Sequence, residues 1–330
     1  MSSPLPIRLG LDISKDTFDA CLCFEDSASK TQNKAFLNTT KGFAQLDAWL
    51  RRHHAPVVLA GLEATGRYGL ALCQHLHAKG HQVYQLNPRH VKDFARSQGR
   101  RVKTDAVDAA IIAQFLRYND QRQLWQPPPA HFVDLQALLR RRMQLMDQLQ
   151  AERNRLEDPG LPAVVRSDIA SHVRQLKNRL TDTTEAIQAH VLVWPDLQKS
   201  VRLLRSIPGV GLMVAVTILA ETPGILNFKR ARQLAAFAGL TPALAQSGTS
   251  LHRRGHMTHE GSALLRKMLY MAALQSVKRV NNPLHATYMA FVNRGKAKMC
   301  ALGAIMHKIL RIAYGVLKHE VEFVPQLAKL

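Results

Sequence analysis

In the first 40 residues, the pattern of apolar and polar positions is typical of three short strands. Ile7–Ile13 is an apolar run with an acid near its end, and residues 20–24 and 33–37 are further extended segments. From Thr40 onward, large apolar side chains recur at the three- and four-residue spacing of a helix. The pattern therefore predicts three strands followed by a helix.

The next segments predict helix and strand in alternation. Residues 56–62 form an apolar run typical of a buried strand, a helix is expected to begin near Tyr68, and Gln82–Leu86 predicts another strand. Pro88 suits the first turn of the following helix, where its missing N–H is harmless. Together these elements predict an α/β domain with a mixed sheet, in the order of a ribonuclease-H-like fold.

The pattern changes at residues 125–129, where three consecutive prolines cannot continue a helix. Beyond them, residues 135–156 and 169–187 carry apolar side chains at coiled-coil spacing, separated by a break at 158–162. We expect an antiparallel helical hairpin there and a mostly helical region afterwards. The predicted domains are residues 1–126, α/β; 127–195, a coiled-coil helical region; and 196–330, mostly α.

The chain is strongly basic. Forty-five lysines and arginines against 24 aspartates and glutamates give its 330 residues a formal charge of +21. A polyanion usually balances such a charge, which makes nucleic acid the first candidate partner and an anionic membrane the second. No unbroken apolar stretch approaches the roughly 18 residues of a membrane span, and the N-terminus lacks a signal-peptide core. The four cysteines form no CxxC pair. We therefore expect a cytoplasmic, nucleoid-associated protein without a membrane partner.

Four acids occupy positions where reactive groups gather in α/β proteins. Asp12 ends the first strand and Glu63 follows the end of a later one. Asp105 and Asp108 are three residues apart and share one face if they lie in a helix. Converging carboxylates require cations between them, and Mg²⁺ or Mn²⁺ suits oxygen ligands and phosphoryl transfer. Each acid alone also fits a structural role in a turn, a strand end or a helix cap. In a chain this basic, their combination favours a metal site.

Residues 205–211 (RSIPGVG) precede an apolar helix and are similar to the loop of a helix–hairpin–helix unit. Gly209 and Gly211 would let backbone N–H groups approach a phosphate at the helix N-terminus. The alternative is a tight turn between helices with no ligand. The charge of the chain favours phosphate contact.

Ser247 lies in a Ser-Gly-Thr-Ser segment, where a serine is more often a turn residue than a nucleophile. No histidine or lysine beside it is an obvious base, so other groups would have to activate it. The residues expected to contact phosphates are Arg253, Arg254, Arg266 and Lys267, together with Arg100, Arg101 and Lys103. Nearby histidines are interpreted as basic surface residues rather than zinc ligands: His252, His256 and His259.

Motifs from both halves of the chain resemble one protein family. LDISKDTFDACL, GLEATGRY and KTDAVDA in the first half, and IPGVG, FAGLTP, SGTS and RKMLYMAA in the second, are similar to segments of the DEDD-type transposases of bacterial insertion sequences (the IS one-ten family). They occur in the family's order and cover nearly the whole chain. Such a combination is far more specific than any single motif.

The resemblance implies a RuvC-like N-terminal domain, a coiled-coil middle and a helical C-terminal transposase domain. It implies that Asp12, Glu63, Asp105 and Asp108 bind the metal, and that Ser247 links covalently to a DNA 5′ phosphate. It further implies a tetramer, a dimer of dimers, whose active sites combine domains of two protomers. The partners implied are donor DNA, target DNA and a structured bridge RNA whose loops pair with both.

The chain departs from many relatives at residues 258–261, where Thr-His-Glu-Gly stands in place of a Ser-Lys pair before the glycine. If that lysine contacts a phosphate, His259 would do so weakly and in a pH-dependent manner. Two alternatives stay open. One is a RuvC-like metal-dependent endonuclease in which activated water attacks and Ser247 is structural. The other is a non-catalytic nucleic-acid-binding protein.

Overall fold

A computed structural model describes residues 7–24, 31–63, 68–99, 105–118, 124–222, 224–243, 246–247, 251–252, 256–257 and 261–325. It describes the backbone alone for residues 105, 106, 242, 243, 246, 247, 251, 252 and 256. The chain divides into two compact units, residues 1–127 and 128–330.

The first unit is built on a five-stranded mixed sheet in the order β3–β2–β1–β4–β5. Its strands are Ile7–Ile13 (β1), Thr17–Cys23 (β2), Thr31–Leu37 (β3), Val58–Glu63 (β4) and Gln82–Leu86 (β5). β2 runs antiparallel to β1 and β3, whereas β1, β4 and β5 are parallel. The predicted mixed sheet is confirmed. β2 begins at Thr17 rather than at residue 20, because Ser14 Oγ donates to the Thr17 carbonyl at 2.8 Å and closes a tight turn there.

Helices cover both faces of this sheet. They are Thr40–Arg52 (α1), Leu70–Ala78 (α2), Pro88–Ser97 (α3) and Asp105–Phe115 (α4). Apolar residues of α1 and α2 form one core against β1, β2 and β4. Apolar residues of α3 and α4 pack on the opposite face. Asn87 caps α3, whose first residue is Pro88, as the sequence predicts.

The second unit is mostly helical. Its helices are Ala130–Leu156 (α5), Ala163–Val193 (α6), Pro195–Arg205 (α7), Leu212–Glu221 (α8), Ala231–Phe237 (α9), Ala263–Lys278 (α10), Pro283–Asn293 (α11) and Lys298–His319 (α12). The described residues between α9 and α10 include four two-residue strands: Pro242–Ala243 (β6), Gln246–Ser247 (β7), Leu251–His252 (β8) and His256–Met257 (β9).

α5 and α6 form the antiparallel hairpin that the sequence predicts. Arg142 donates to Thr184 at 3.0 Å, and Glu152 contacts His172 at 3.2 Å, so positions rise along one helix as they fall along the other. The seam buries Leu145, Leu149, Ile169, Val173 and Leu176. Whether this hairpin is a coiled coil, and whether residue 195 is a domain boundary, stay predictions.

α12 is a core helix of the second unit. By length and composition it could cross a membrane, but 56% of its most apolar window is buried within the protein. Its buried side includes Ile305, Ile309 and Leu310. It therefore fits the core helix of a folded unit, and its more exposed side carries several cations.

Candidate functional site

Asp12 and Glu63 lie at the same edge of the sheet. β1 and β4 are parallel, and Leu11 pairs with Leu62, so the register continued by one residue places Asp12 beside Glu63. Neighbouring strands are about 4.8 Å apart, and residues in register point to the same face. Both side chains are half-buried. The structure thus brings together the two strand-end acids that the sequence singled out.

Helix α4 crosses the face of the sheet from which these two acids project. A Cβ added at Gly10, two residues before Asp12, would lie 2.0 Å from the Ala109 carbonyl oxygen and 2.5 Å from the Ala113 nitrogen. The strand and helix backbones therefore touch at Gly10. Asp108 immediately precedes Ala109 and is half-buried. Asp105 is the first residue of α4, and its side chain lies outside the described part of the chain.

A further acid, Asp19, lies on the same face of the sheet as Asp12, and the sequence analysis did not identify it. Asp19 in β2 pairs with Asp12 across the β1–β2 hairpin and is half-buried. Carboxylates directly opposite each other repel, and a cation between them offsets that repulsion. The signal was available, because a strand that starts directly after the Ser14–Thr17 turn sets Asp19 opposite Asp12.

The donor set on this edge consists of carboxylate oxygens, which suit hard divalent cations. Among the described residues, no three Asp, Glu, His or Cys side chains are arranged to hold a metal ion as they stand. The chemistry of the residues present fits a divalent ion, and a bound ion would have to draw the carboxylates together.

In the second unit, the two glycines of the loop before α8 have different surroundings. Gly209 has a φ of 84°, and a Cβ there would lie 2.2 Å from Ser276 Oγ and 2.4 Å from the Ala272 carbonyl oxygen of α10. Its Cα is therefore packed against α10. At Gly211, the N-cap of α8, an added Cβ would meet nothing within 4 Å. Of the two, Gly211 alone has open space around its Cα for an approaching phosphate.

Ser247 lies on a small hairpin extension between α9 and α10. β6 pairs with β9, and within that pair β7 pairs with β8, where Ser247 is opposite Leu251. The Ser247 side chain is not described. The two ends of the extension meet at its base, since a Cβ at Gly261 would lie 2.0 Å from the Phe237 carbonyl oxygen. Ser247 therefore belongs to a hairpin extension with a tightly packed base.

The Arg266 side chain forms hydrogen bonds at the base of this hairpin extension. Its guanidinium donates to the carbonyl of Gly261 at 3.0 Å and is 3.4 Å from that of Ala238. Lys267 is exposed and lies 3.6 Å from Asp147 of α5. Arg266 thus helps to position the hairpin extension, whatever else it contacts.

Several residues singled out in the sequence lie outside the described part of the chain. These are Arg100, Arg101, Lys103, Arg253, Arg254 and His259. For His252 and His256 only the backbone is described. The interpretation of these residues as nucleic-acid contacts therefore stays a prediction.

Both halves of the chain match known protein families. Residues 9–158 match a DEDD-type transposase model of the IS110 group, and residues 201–290 match a model described as the transposase IS116/IS110/IS902 family. The pilin gene-inverting protein of Moraxella bovis is 33% identical over 96% of this chain and 97% of its own length. The transposase for insertion sequence element IS1111A of Coxiella burnetii is 25% identical over 83% of this chain and 79% of its own.

Transposases act on DNA strands, so the chain is a DNA-processing enzyme, and a DEDD-type domain implies dependence on a divalent metal. The matches cover the acid-bearing first unit and the part of the second unit that contains Ser247. The chain therefore belongs to the IS116/IS110/IS902 family of transposases.

Proposed function

We propose that this transposase cuts and rejoins donor and target DNA through a covalent bond to Ser247, with Mg²⁺ (or Mn²⁺) held by Asp12, Glu63, Asp105 and Asp108. The observation that carries the proposal is the parallel register of β1 and β4, whose last pair, Leu11 with Leu62, is followed directly by Asp12 and Glu63. The docking of α4 on the same face supports it, because Asp105 and Asp108 lie in the first turn of that helix.

The proposed fold of the first unit is ribonuclease-H-like, of the RuvC type. The strand order β3–β2–β1–β4–β5, with β2 alone antiparallel to its neighbours, supports it. In this arrangement Asp12 and Glu63 lie at the carboxyl ends of parallel strands, where α/β proteins place ligands. When bound, the divalent ion would neutralise the carboxylates and stabilise charge on the phosphate oxygens.

In the proposed chemistry, the Ser247 hydroxyl oxygen attacks a DNA phosphorus atom. The bond from phosphorus to the 3′ oxygen breaks, so the serine holds the 5′ phosphate and the other strand end leaves as a 3′ hydroxyl. The serine proton is lost to solvent or a base, and the leaving oxygen gains one. Attack by the 3′ hydroxyl of an incoming strand reverses these changes and frees the serine.

Changing Ser247 to alanine is expected to abolish a denaturation-resistant protein–DNA adduct, because the attacking oxygen is gone. The adduct is measured on denaturing gels with end-labelled DNA and Mg²⁺. Ser250→Ala, which removes a hydroxyl three residues away, is the matched control and should retain the adduct.

The alternative function is a RuvC-like endonuclease in which activated water attacks the phosphate and Ser247 is structural. It is favoured if Ser247→Ala cleaves DNA at the wild-type rate. In that outcome the covalent mechanism is wrong, whereas the role of the carboxylates is untouched.

The proposal includes a structured guide (bridge) RNA and a tetramer, as the family resemblance implies. The +21 charge supports a large polyanionic partner, and an aromatic content of 6% offers little base stacking with which the protein could read sequence.

Purification of the chain from its own host under mild salt is expected to recover one structured RNA encoded beside its gene. Sequencing the co-purified RNA is the measurement. A heterogeneous RNA background that matches that of an unrelated protein of equal charge would contradict guidance by RNA and would favour a guide-free enzyme.

A further inference from the structure

Asn38 lies at the carboxyl edge of the sheet, where it directly follows the last residue of β3. β2 runs antiparallel to both β1 and β3, so β3 ends at the same edge as β1 and β4. This is the edge that holds Asp12 and Glu63. The Asn38 side chain is half-buried there, and the strand chemistry proposed above makes no use of it.

The side-chain amide of Asn38 joins two separate segments at this edge. Its Nδ2 donates to the carbonyl oxygen of Ser14 at 3.1 Å and to that of Tyr68 at 3.1 Å. Carbonyl oxygens only accept hydrogen bonds, so the nitrogen of the amide fits between them and its oxygen does not. Ser14 is two residues after Asp12, and Tyr68 is the first described residue after Glu63. One side chain therefore links the segments that follow the two acids.

The backbone on both sides of Asn38 is held in place. Its own N–H donates to the Asp16 carbonyl oxygen at 2.9 Å, in the turn between β1 and β2. Thr39 caps α1 by accepting from the Gly42 N–H, and a Cβ at Gly42 would overlap the Leu37 carbonyl oxygen. The start of α1 thus packs directly on the end of β3. A backbone fixed in this way lets the Asn38 amide restrain the segments to which it donates.

Gly69, which follows the second acceptor, packs closely on the strand ends. A Cβ at Gly69 would lie 2.8 Å from Leu62 Cδ1 and 3.3 Å from Ile13 Cδ1. Leu62 immediately precedes Glu63, and Ile13 immediately follows Asp12. The segment that the amide holds therefore lies against the chain neighbours of both acids, and its displacement would displace them.

We propose that Asn38 is a positioning residue for the divalent metal. Its two donated hydrogen bonds limit how far the ends of β1 and β4 can move apart, and so favour the approach of Asp12 and Glu63 to one ion. Asn38 does not contact the ion in this role, because it acts through the backbone that follows each acid. The inference rests on the proposed role of the two acids as metal ligands.

The test measures Mn²⁺ binding to the full chain without DNA, from the electron paramagnetic resonance signal of the ion that stays free. Asn38→Leu keeps a side chain of similar size and removes both donated hydrogen bonds. Asn33→Leu makes the same change at an exposed position of β3 and is the matched control. We expect Asn38→Leu to bind Mn²⁺ roughly tenfold more weakly than the wild type, as is common when a group that orients metal ligands is removed. Asn33→Leu should bind it as the wild type does.

Asn38→Asp tests position against charge, and it also serves if Asn38→Leu fails to fold. The carboxylate has nearly the size of the amide, but it only accepts hydrogen bonds and repels both carbonyl oxygens. Its added negative charge alone would strengthen the binding of a cation. We expect weaker Mn²⁺ binding than in the wild type, because the strand ends are no longer held. Binding at or above the wild-type affinity would overturn the proposal.

Urea unfolding in EDTA measures the stability of each variant without the ion. A purely structural Asn38 predicts that Asn38→Leu loses stability and still binds Mn²⁺ with wild-type affinity, which would also overturn the proposal.

Asp12→Asn distinguishes this proposal from the one on which it rests. If Asp12→Asn weakens Mn²⁺ binding and the Asn38 variants do not, the carboxylate site stands and the role of Asn38 is wrong. Equal Mn²⁺ binding by the wild type and Asp12→Asn would contradict the carboxylate site, and the role of Asn38 with it.

Discussion

Replacing Asp12 with asparagine is expected to reduce strand cleavage by at least about a thousandfold while DNA binding survives, because several kcal/mol of charge stabilisation by the metal is lost. Asp12 and Glu63 lie side by side at the carboxyl edge of the sheet, so the loss of one carboxylate weakens the ligand set that we propose for the metal. Cleavage of end-labelled DNA is measured across a Mg²⁺ titration, and binding is measured in EDTA.

Asp93→Asn is the matched control. Asp93 is an exposed acid of α3 that lies near Arg89 and Arg96, and ion pairs of this kind contribute little stability. It should cleave DNA as the wild type does. Asp19→Asn gives an intermediate comparison, because Asp19 faces Asp12 from β2. We expect it to change the Mg²⁺ concentration required for half-maximal cleavage.

Two outcomes would count against the proposed site. Wild-type cleavage by Asp12→Asn would exclude Asp12 as an essential ligand. The second outcome is that the wild type and Asp12→Asn bind DNA equally well and neither cleaves it under any metal condition. That result would favour a non-catalytic nucleic-acid-binding protein. Loss of cleavage with retained binding would exclude that alternative.

Gly10→Ala is expected to destabilise the first unit by about 3 kcal/mol or more, because its Cβ would enter the backbone of α4. The nearest atoms are the Ala109 carbonyl oxygen at 2.0 Å and the Ala113 nitrogen at 2.5 Å. Neither can yield without moving the helix that carries Asp105 and Asp108. Cleavage should therefore be lost together with stability.

Gly61→Ala is a control from the same rung of the sheet, since Gly10 and Gly61 pair in the parallel register. Its Cβ would meet the buried Leu116 side chain, with Cδ2 at 2.8 Å and Cδ1 and Cγ at 3.0 Å, and no backbone atom among the nearest three. We expect a smaller loss of about 1–2 kcal/mol, because a side chain can shift where a backbone cannot. Urea unfolding and hydrogen exchange of the α4 amides measure both variants. Equal destabilisation would show that α4 does not dock on Gly10 as tightly as the structure indicates.

Much of the fold was predictable because its signals are local. Each signal lies within one short segment of the chain: the apolar run of β1, the proline that begins α3, and the apolar spacing within α5 and within α6. Their predictions are confirmed, with β2 the main shift in a boundary. The family was also predictable, since its motifs are short segments in a fixed order.

The candidate site was predictable only in part. Asp12 and Glu63 stood out because each is at the end of a strand, and parallel pairing brings strand ends to one edge. Asp19 did not stand out, because its position opposite Asp12 depends on the register of a hairpin. Gly209 and Gly211 look equivalent in the loop motif, yet only Gly209 is packed against α10.

The sequence by itself determined the order of helices and strands, the basic character of the chain and its family, since periodicity, charge and motifs are properties of neighbouring residues. Tertiary structure alone decided which distant groups meet. It packed Gly10 against α4 and Gly209 against α10. These contacts arise from helix packing, which joins residues far apart in the chain and leaves no local pattern.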